Sequence, residues 1–312
     1  MKKRRPSLIL EKNQRLDLMK AALGEVKSDL LIRDGNLLNV YTGEILEKWS
    51  VSILKSRIAY VGNEPDHTIG EHTHVLDASG KTIIPGLIDG HAHLAWLFNT
   101  SEFLKSAVKG GTTAIITETM EPYPVSGVDG VLELLDSFEG QPIKIFATAP
   151  AMGSISKNLR GIRLSALKKL MLHPAVLGLG EAYWQGVFQN PKSILPAIQE
   201  TLKSNKILEG HSAGARGKKL AAYAALGFSS CHEPVAVEEV LERLRLGIWV
   251  MIREGSIRRD LEAVSRIKDI GIDFRRAILV TDGITPKDLM EKGYMEYVVQ
   301  KAINCGIDPV SA

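Results

Sequence analysis

The chain predicts an α/β fold: a TIM-like (β/α)8 barrel over residues 81–312, behind a small β domain with one helix over residues 1–80. Three observations carry this. After Ser79-Gly80 come eight apolar β-type runs with helical patterns between most of them, which is the rhythm of a closed parallel barrel. Histidines and carboxylates collect at the C-terminal ends of those runs, the rim on which such a barrel builds its site. Before Ser79 the pattern is instead short β runs broken by turn residues.

In chain order, Lys2-Lys3-Arg4-Arg5 mimics the basic start of a signal peptide, but Leu8-Ile9-Leu10 meets Glu11-Lys12 at once, so no cleavable apolar stretch follows. Leu16, Met19 and Leu23 give residues 13–23 an amphipathic helical spacing. Residues 29–75 read as an antiparallel unit: Asp34-Gly35, Thr42-Gly43 and Lys55-Ser56 each separate apolar runs, as hairpin turns do. At about fifty residues it is too small to bury a comfortable core alone. The barrel strands are expected at 83–94, 112–117, 143–148, 176–183, 207–212, 228–233, 248–254 and 277–282. Helical patterns fall at 101–109, 131–138, 164–171, 194–204, 237–244 and 296–305.

Composition narrows the function classes. Hydrophobic residues make up 45% and charged residues 24%, a globular balance that excludes a disordered or fibrous chain. No run approaches the roughly 18 apolar residues of a membrane helix. The net charge of +3 is smaller than the charge of the Lys2–Arg5 tetrad, so no nucleic-acid surface is indicated. Two cysteines, Cys231 and Cys305, are too few for a disulfide framework and fit a reducing compartment; the expectation is a soluble cytoplasmic protein.

The chemistry lies at the strand ends. Strand one closes on Asp89-Gly90-His91-Ala92-His93, and residues two apart on a strand share a face, so both imidazoles point to the barrel mouth. A second such pair, His72 and His74, follows Pro65-Asp66-His67 in a polar run and is expected to be exposed. Glu181 interrupts the apolar fourth strand; an ion pair or a metal would offset the cost of burying its charge. Strands five, six and eight end in Glu209-Gly210-His211, Cys231-His232-Glu233 and Thr281-Asp282-Gly283. Each alone could be a structural histidine or a capping aspartate. Together, His91, His93, Glu181, His211, His232 and Asp282 bring ligands from five strands to one rim. That set suits one or two divalent ions, zinc, iron or manganese in preference to calcium.

The stretch Pro85-Gly86-Leu87-Ile88-Asp89-Gly90-His91-Ala92-His93 resembles the signature of the metal-dependent amidohydrolase superfamily. The start Lys27 to Gly35, with Val40 to Glu44, is similar to adenine deaminases in particular. So are Gly210-His211-Ser212, Cys231-His232-Glu233, the run Val250 to Ser256 and Thr281-Asp282. The resemblance covers nearly the whole chain. It implies that His91, His93 and Asp282 hold one ion and His211 and His232 the other, with Glu181 bridging them. It implies hydrolysis of adenine to hypoxanthine and ammonia, with Asp282 moving the proton. Arg253, Glu254, Glu118 and Glu121 are placed with the purine, although Arg253 and Glu254 read equally well as a pair bracing the rim.

Three positions depart from the adenine deaminase pattern. Leu94-Ala95-Trp96-Leu97 replaces Ile-Glu-Ser-Ser, Met120 stands where a histidine is usual, and Gly283 replaces a second aspartate. A hydrolase of a cyclic amide or another aminated heterocycle therefore stays open, as does an inactive paralogue. The resembling proteins continue past the barrel with segments that complete the β domain, so this domain is expected to be incomplete and the chain to form a homo-oligomer.

Overall fold

The computed structural model describes residues 10–95, 99–151, 161–273 and 275–312. The basic tetrad Lys2–Arg5 and the Trp96-Leu97 replacement lie outside them. The chain divides into two compact units, one ending at Pro85 and one starting at Gly86.

The first unit is a five-stranded sheet built from β1 (Leu30–Asn39), β2 (Glu44–Leu54), β3 (Arg57–Gly62), β4 (His74–Asp77) and β5 (Thr82–Ile83). The hairpins β1–β2 and β2–β3 are antiparallel, but β4 and β5 both pair with β1 in parallel, which corrects the all-antiparallel expectation. The reason is the connection. The segment from Asn63 to Thr73, with a 3-10 turn at Asp66–Thr68, is long enough to return the chain to β1 in the same direction, where a tight turn could not. The helix forms at Lys12–Ala22, started by Gln14 Oε1 accepting from the Glu11 N–H at 2.9 Å. Leu16, Met19 and Leu23, its expected buried stripe, are exposed; Ala21 is the buried residue. His67, His72 and His74 are exposed, as the sequence implied.

The second unit has eight parallel strands in consecutive order: β6 (Leu87–Ala92), β7 (Thr112–Thr117), β8 (Lys144–Pro150), β9 (Val176–Tyr183), β10 (Ile207–His211), β11 (Ser230–Cys231), β12 (Trp249–Arg253) and β13 (Ala277–Val280). The first begins later than expected because Pro85-Gly86 interrupts the run. Helices at Thr100–Lys109, Leu164–Met171, Pro191–Lys203, Val237–Arg245 and Met295–Asn304 match the expected patterns; the one at Pro122–Ser137, kinked at Gly127, starts nine residues before its expected 131–138, and short helices at Lys218–Ala225 and Pro286–Lys292 were not anticipated. Ile115, Ala147, Leu179, Leu208 and Val250 from the strands and Leu104, Leu135, Leu167 and Val240 from the helices are fully buried in one core. Each buried Leu, Ile or Val contributes about 1.5–3 kcal/mol.

Asp89 closes the seam between β13 and β6. Its Oδ1 accepts from the N–H groups of His91 (3.2 Å) and Thr281 (3.3 Å), and its Oδ2 from the hydroxyls of Thr281 and Tyr294, both at 2.6 Å. One residue on, the Asp282 N–H donates to the His91 carbonyl at 3.0 Å. Among the described residues no helix is long and apolar enough to cross a membrane.

Candidate metal centre

The local backbone aims the side chains. Between the pairs Leu208–Leu179 and Gly210–Ala182, β10 supplies only Glu209 while β9 supplies both Gly180 and Glu181. This is a bulge, and it turns Glu181 into the left-handed region with φ of 52°. Asp282 has φ of 60°. Such backbone costs of order 1–3 kcal/mol at a non-glycine residue and clusters where side chains must be re-aimed. Gly283, with φ of 144°, continues the same turn, so the aspartate usual there would be strained. Gly180 is required for another reason: a Cβ on it would lie 2.6 Å from both oxygens of Glu118.

All six expected ligands converge. Asp282 Oδ1 lies 3.2 Å from His91 Nε2 and 3.3 Å from His93 Nε2. Glu181 stands in the middle: its Oε1 is 3.4 Å from His232 Nε2, 3.6 Å from His91 Nε2 and 3.9 Å from His93 Nε2, and its Oε2 is 4.0 Å from His211 Nε2. His91, Glu181, His232 and Asp282 are buried, and His93 and His211 nearly so. Glu233, to which the sequence assigned no role, joins them with its Oε1 3.1 Å from Nε2 of both His211 and His232. It directly follows His232, and that adjacency was the only sign of it.

A second layer holds these groups, and it includes residues expected beside the substrate. Glu121 Oε1 bonds His93 Nδ1 at 2.6 Å, so Glu121 orients a histidine. Glu209 Oε1 does the same for His91 Nδ1 at 2.5 Å. Glu209 lies two residues before His211 on one strand, a spacing that puts both on the same face and could have revealed it. Glu118 is fully buried, 3.7 Å from His91 Nδ1. Glu254 is also buried and pairs with Lys301 on the last helix at 2.7 Å, so it does not join the cluster. Arg253 is committed to carboxylates: Asp260 at 3.0 and 2.9 Å, Glu233 at 2.9 Å and Asp282 at 3.2 Å. Arg253 and Glu254 thus turn to different partners. Met120 is half-buried and Ala95 exposed.

The electrostatics fit a cation. Burial disfavours charge on His91, yet Glu209 and Asp282 overcome it and push its pKa well up. The same opposition at His93 ends at about 10, raised by Asp282 and Glu121. Burial also opposes the charges of Glu233 and Asp282, but their histidine neighbours hold both carboxyls far below the usual range. Burial and the charge of Glu209 push Glu118 up. His91 Nε2 and Glu181 Oε2 are buried without a hydrogen-bond partner, and both face the centre of the cluster. Among the described residues, four trios of potential ligands lie within 4.8 Å: His91–His93–Asp282, His91–Glu181–His232, His211–His232–Glu233 and His91–Glu118–Glu209. Imidazole and carboxylate donors presented together, with carboxylates behind the histidines, are the arrangement a divalent ion takes.

A cavity of about 270 Å³ opens beside Glu233 and Arg253, lined also by Ala213, Gly214 and Arg258. Tyr183 stacks on His211 at 3.8 Å between ring centroids.

Residues 82–304 match the Amidohydrolase family. The chain is 37% identical over 304 residues to the adenine deaminase of Cenarchaeum symbiosum (strain A), covering 95% of this chain and 49% of that protein. It is 36% identical over 304 residues to the adenine deaminase of Moorella thermoacetica, covering 95% and 51%. The chain thus spans about half the length of these curated relatives. The fold is similar to that of a beta-aspartyl dipeptidase from Fervidobacterium islandicum AW-1, with a TM-score of 0.64 and 15% identity over 90% of this chain and 83% of the other.

Proposed function

The chain belongs to the amidohydrolase family, and from that premise we propose that it hydrolytically deaminates a purine base, adenine to hypoxanthine and ammonia. The observation that carries the substrate is the identity to adenine deaminases over 95% of the chain, joined to a complete cluster of His91, His93, Glu181, His211, His232 and Asp282. Two divalent ions per chain, manganese, iron or zinc, would be held by His91, His93, Asp282, His211 and His232, with Glu181 shared by both. When bound, such ions supply the charge that makes water acidic enough to attack at neutral pH.

The chain's own residues do the rest. Asp282 is ionised, so it accepts the proton of the attacking water and passes it to the amine leaving C6. Its left-handed backbone and its bond to Arg253 fix the carboxylate for that transfer. Glu121 and Glu209 fix the ring orientation of His93 and His91. Tyr183, stacked on His211, would offer an aromatic edge to a flat heterocycle. We also propose a homo-oligomer, supported by Ile45, Ile58 and Leu76, which the small sheet leaves exposed, and a cytoplasmic location, supported by two free cysteines.

The test is ammonia release by the purified, metal-loaded protein, offered adenine, other aminopurines and cyclic amides in parallel. Adenine should be turned over best. Turnover of a cyclic amide with adenine untouched would overturn the substrate while leaving hydrolysis standing, and would point to the altered positions Ala95, Met120 and Gly283.

A further inference from the structure

We infer that Glu233 is a terminal ligand of the second divalent ion, and that Arg253 holds Glu233 and Asp282 as a matched pair, one for each ion. The inference rests on the metal-centre reading above. A divalent ion bonded to nitrogen and oxygen at about 2.0–2.2 Å keeps neighbouring ligand atoms roughly 3.0–3.5 Å apart. His91, His93 and Asp282 show that spacing, with edges of 3.2 and 3.3 Å to the carboxylate oxygen. His211, His232 and Glu233 repeat it, with both edges at 3.1 Å. The imidazoles repeat it too. The rings of His91 and His93 lie 5.2 Å apart at 78°, and those of His211 and His232 lie 5.3 Å apart at 85°. Each half therefore has two imidazoles and one carboxylate oxygen in the same arrangement, with Glu181 reaching all four rings between them.

Arg253 completes the symmetry. One nitrogen, Nη1, bonds Glu233 Oε1 at 2.9 Å and Asp282 Oδ2 at 3.2 Å, touching the carboxylate of each half. Its other edge is fastened to Asp260 through Nε and Nη2. Asp260 already gives the guanidinium a carboxylate partner, so Glu233 is not needed as its counter-ion. That leaves the two imidazoles, aimed at one oxygen, as the reason for its position.

The experiment titrates the chelator-stripped protein with Zn²⁺ by calorimetry, counts bound metal by mass spectrometry, and records electron paramagnetic resonance of the Mn²⁺-loaded form. Wild type should bind two ions and give the signal of an exchange-coupled manganese pair. Glu233→Gln should keep one ion at wild-type affinity, weaken the other at least 10–100-fold, and give a mononuclear signal. Glu233→Asp should recover part of the lost affinity. Arg253→Met should weaken both ions by about 10–100-fold, because both carboxylates lose their strut. Two ions at wild-type affinity in Glu233→Gln would overturn the inference, as would loss of both ions from a folded variant or no recovery with aspartate. Failure of wild type to bind any metal would instead refute the metal centre itself.

Discussion

Removing the Asp89 side chain should open the barrel at its seam. The carboxylate joins β6 to β13 and to Tyr294 at the start of the last helix by accepting four hydrogen bonds, all buried. Asp89→Ala leaves the His91 and Thr281 N–H groups without an acceptor, at about 1–3 kcal/mol each. The two hydroxyls can rotate toward other partners, and loss of a buried carboxylate relieves its own desolvation, which pushes its pKa up in the intact protein. These offsets keep the net cost near 3–5 kcal/mol, a fall in Tm of roughly 6–20 °C at about 2–4 °C per kcal/mol. Asp89→Asn keeps Oδ1 for both N–H groups and offers its NH2 to the hydroxyls, so it should cost under about 1.5 kcal/mol. Calorimetric melting of the three proteins measures this, and hydrogen exchange at the Thr281 and Asp282 amides localises it. An alanine variant within 1 kcal/mol of wild type (about the cost of one such group), or an asparagine variant as costly as alanine, would refute the seam argument.

Glu181→Gln should lower metal content and abolish turnover together, since a neutral amide bridges cations poorly; full metal with near-normal rate would remove Glu181 from the bridge. Asp282→Asn should keep the fold and cut kcat by about 10²–10⁴, and a loss under tenfold (about 1.4 kcal/mol) would mean that another carboxylate moves the proton. His91 and His93 have raised pKa values, so at neutral pH an entering ion must displace their protons. Zn²⁺ binding should therefore release protons, visible as calorimetric heats that scale with buffer ionisation enthalpy, and weaken as pH falls; heats independent of buffer would contradict this. Light scattering should show self-association at high concentration, reduced by Ile58→Lys and Leu76→Lys together, whereas a clean monomer at every concentration would set aside the homo-oligomer.

The sequence by itself determined the rhythm of eight strands and the residue types at the rim. Both are local. A strand declares itself by its apolar run, and His91 and His93 declare their common face by being two residues apart. Only the tertiary structure decided what each rim residue does. His91 depends on Glu209, which is 118 residues away, and Asp89 on Thr281, which is 192 away. Which carboxylate meets which imidazole follows from strand register and from the bulge at Gly180-Glu181, and no short-range pattern encodes either. That is why only the structure shows Glu121 and Glu118 beside the histidines and Glu254 paired with Lys301. Charge and spacing say that Glu233 and Arg253 are polar and near the rim. It takes the closed barrel to set Glu233 beside His211 and His232 and Arg253 between Glu233 and Asp282.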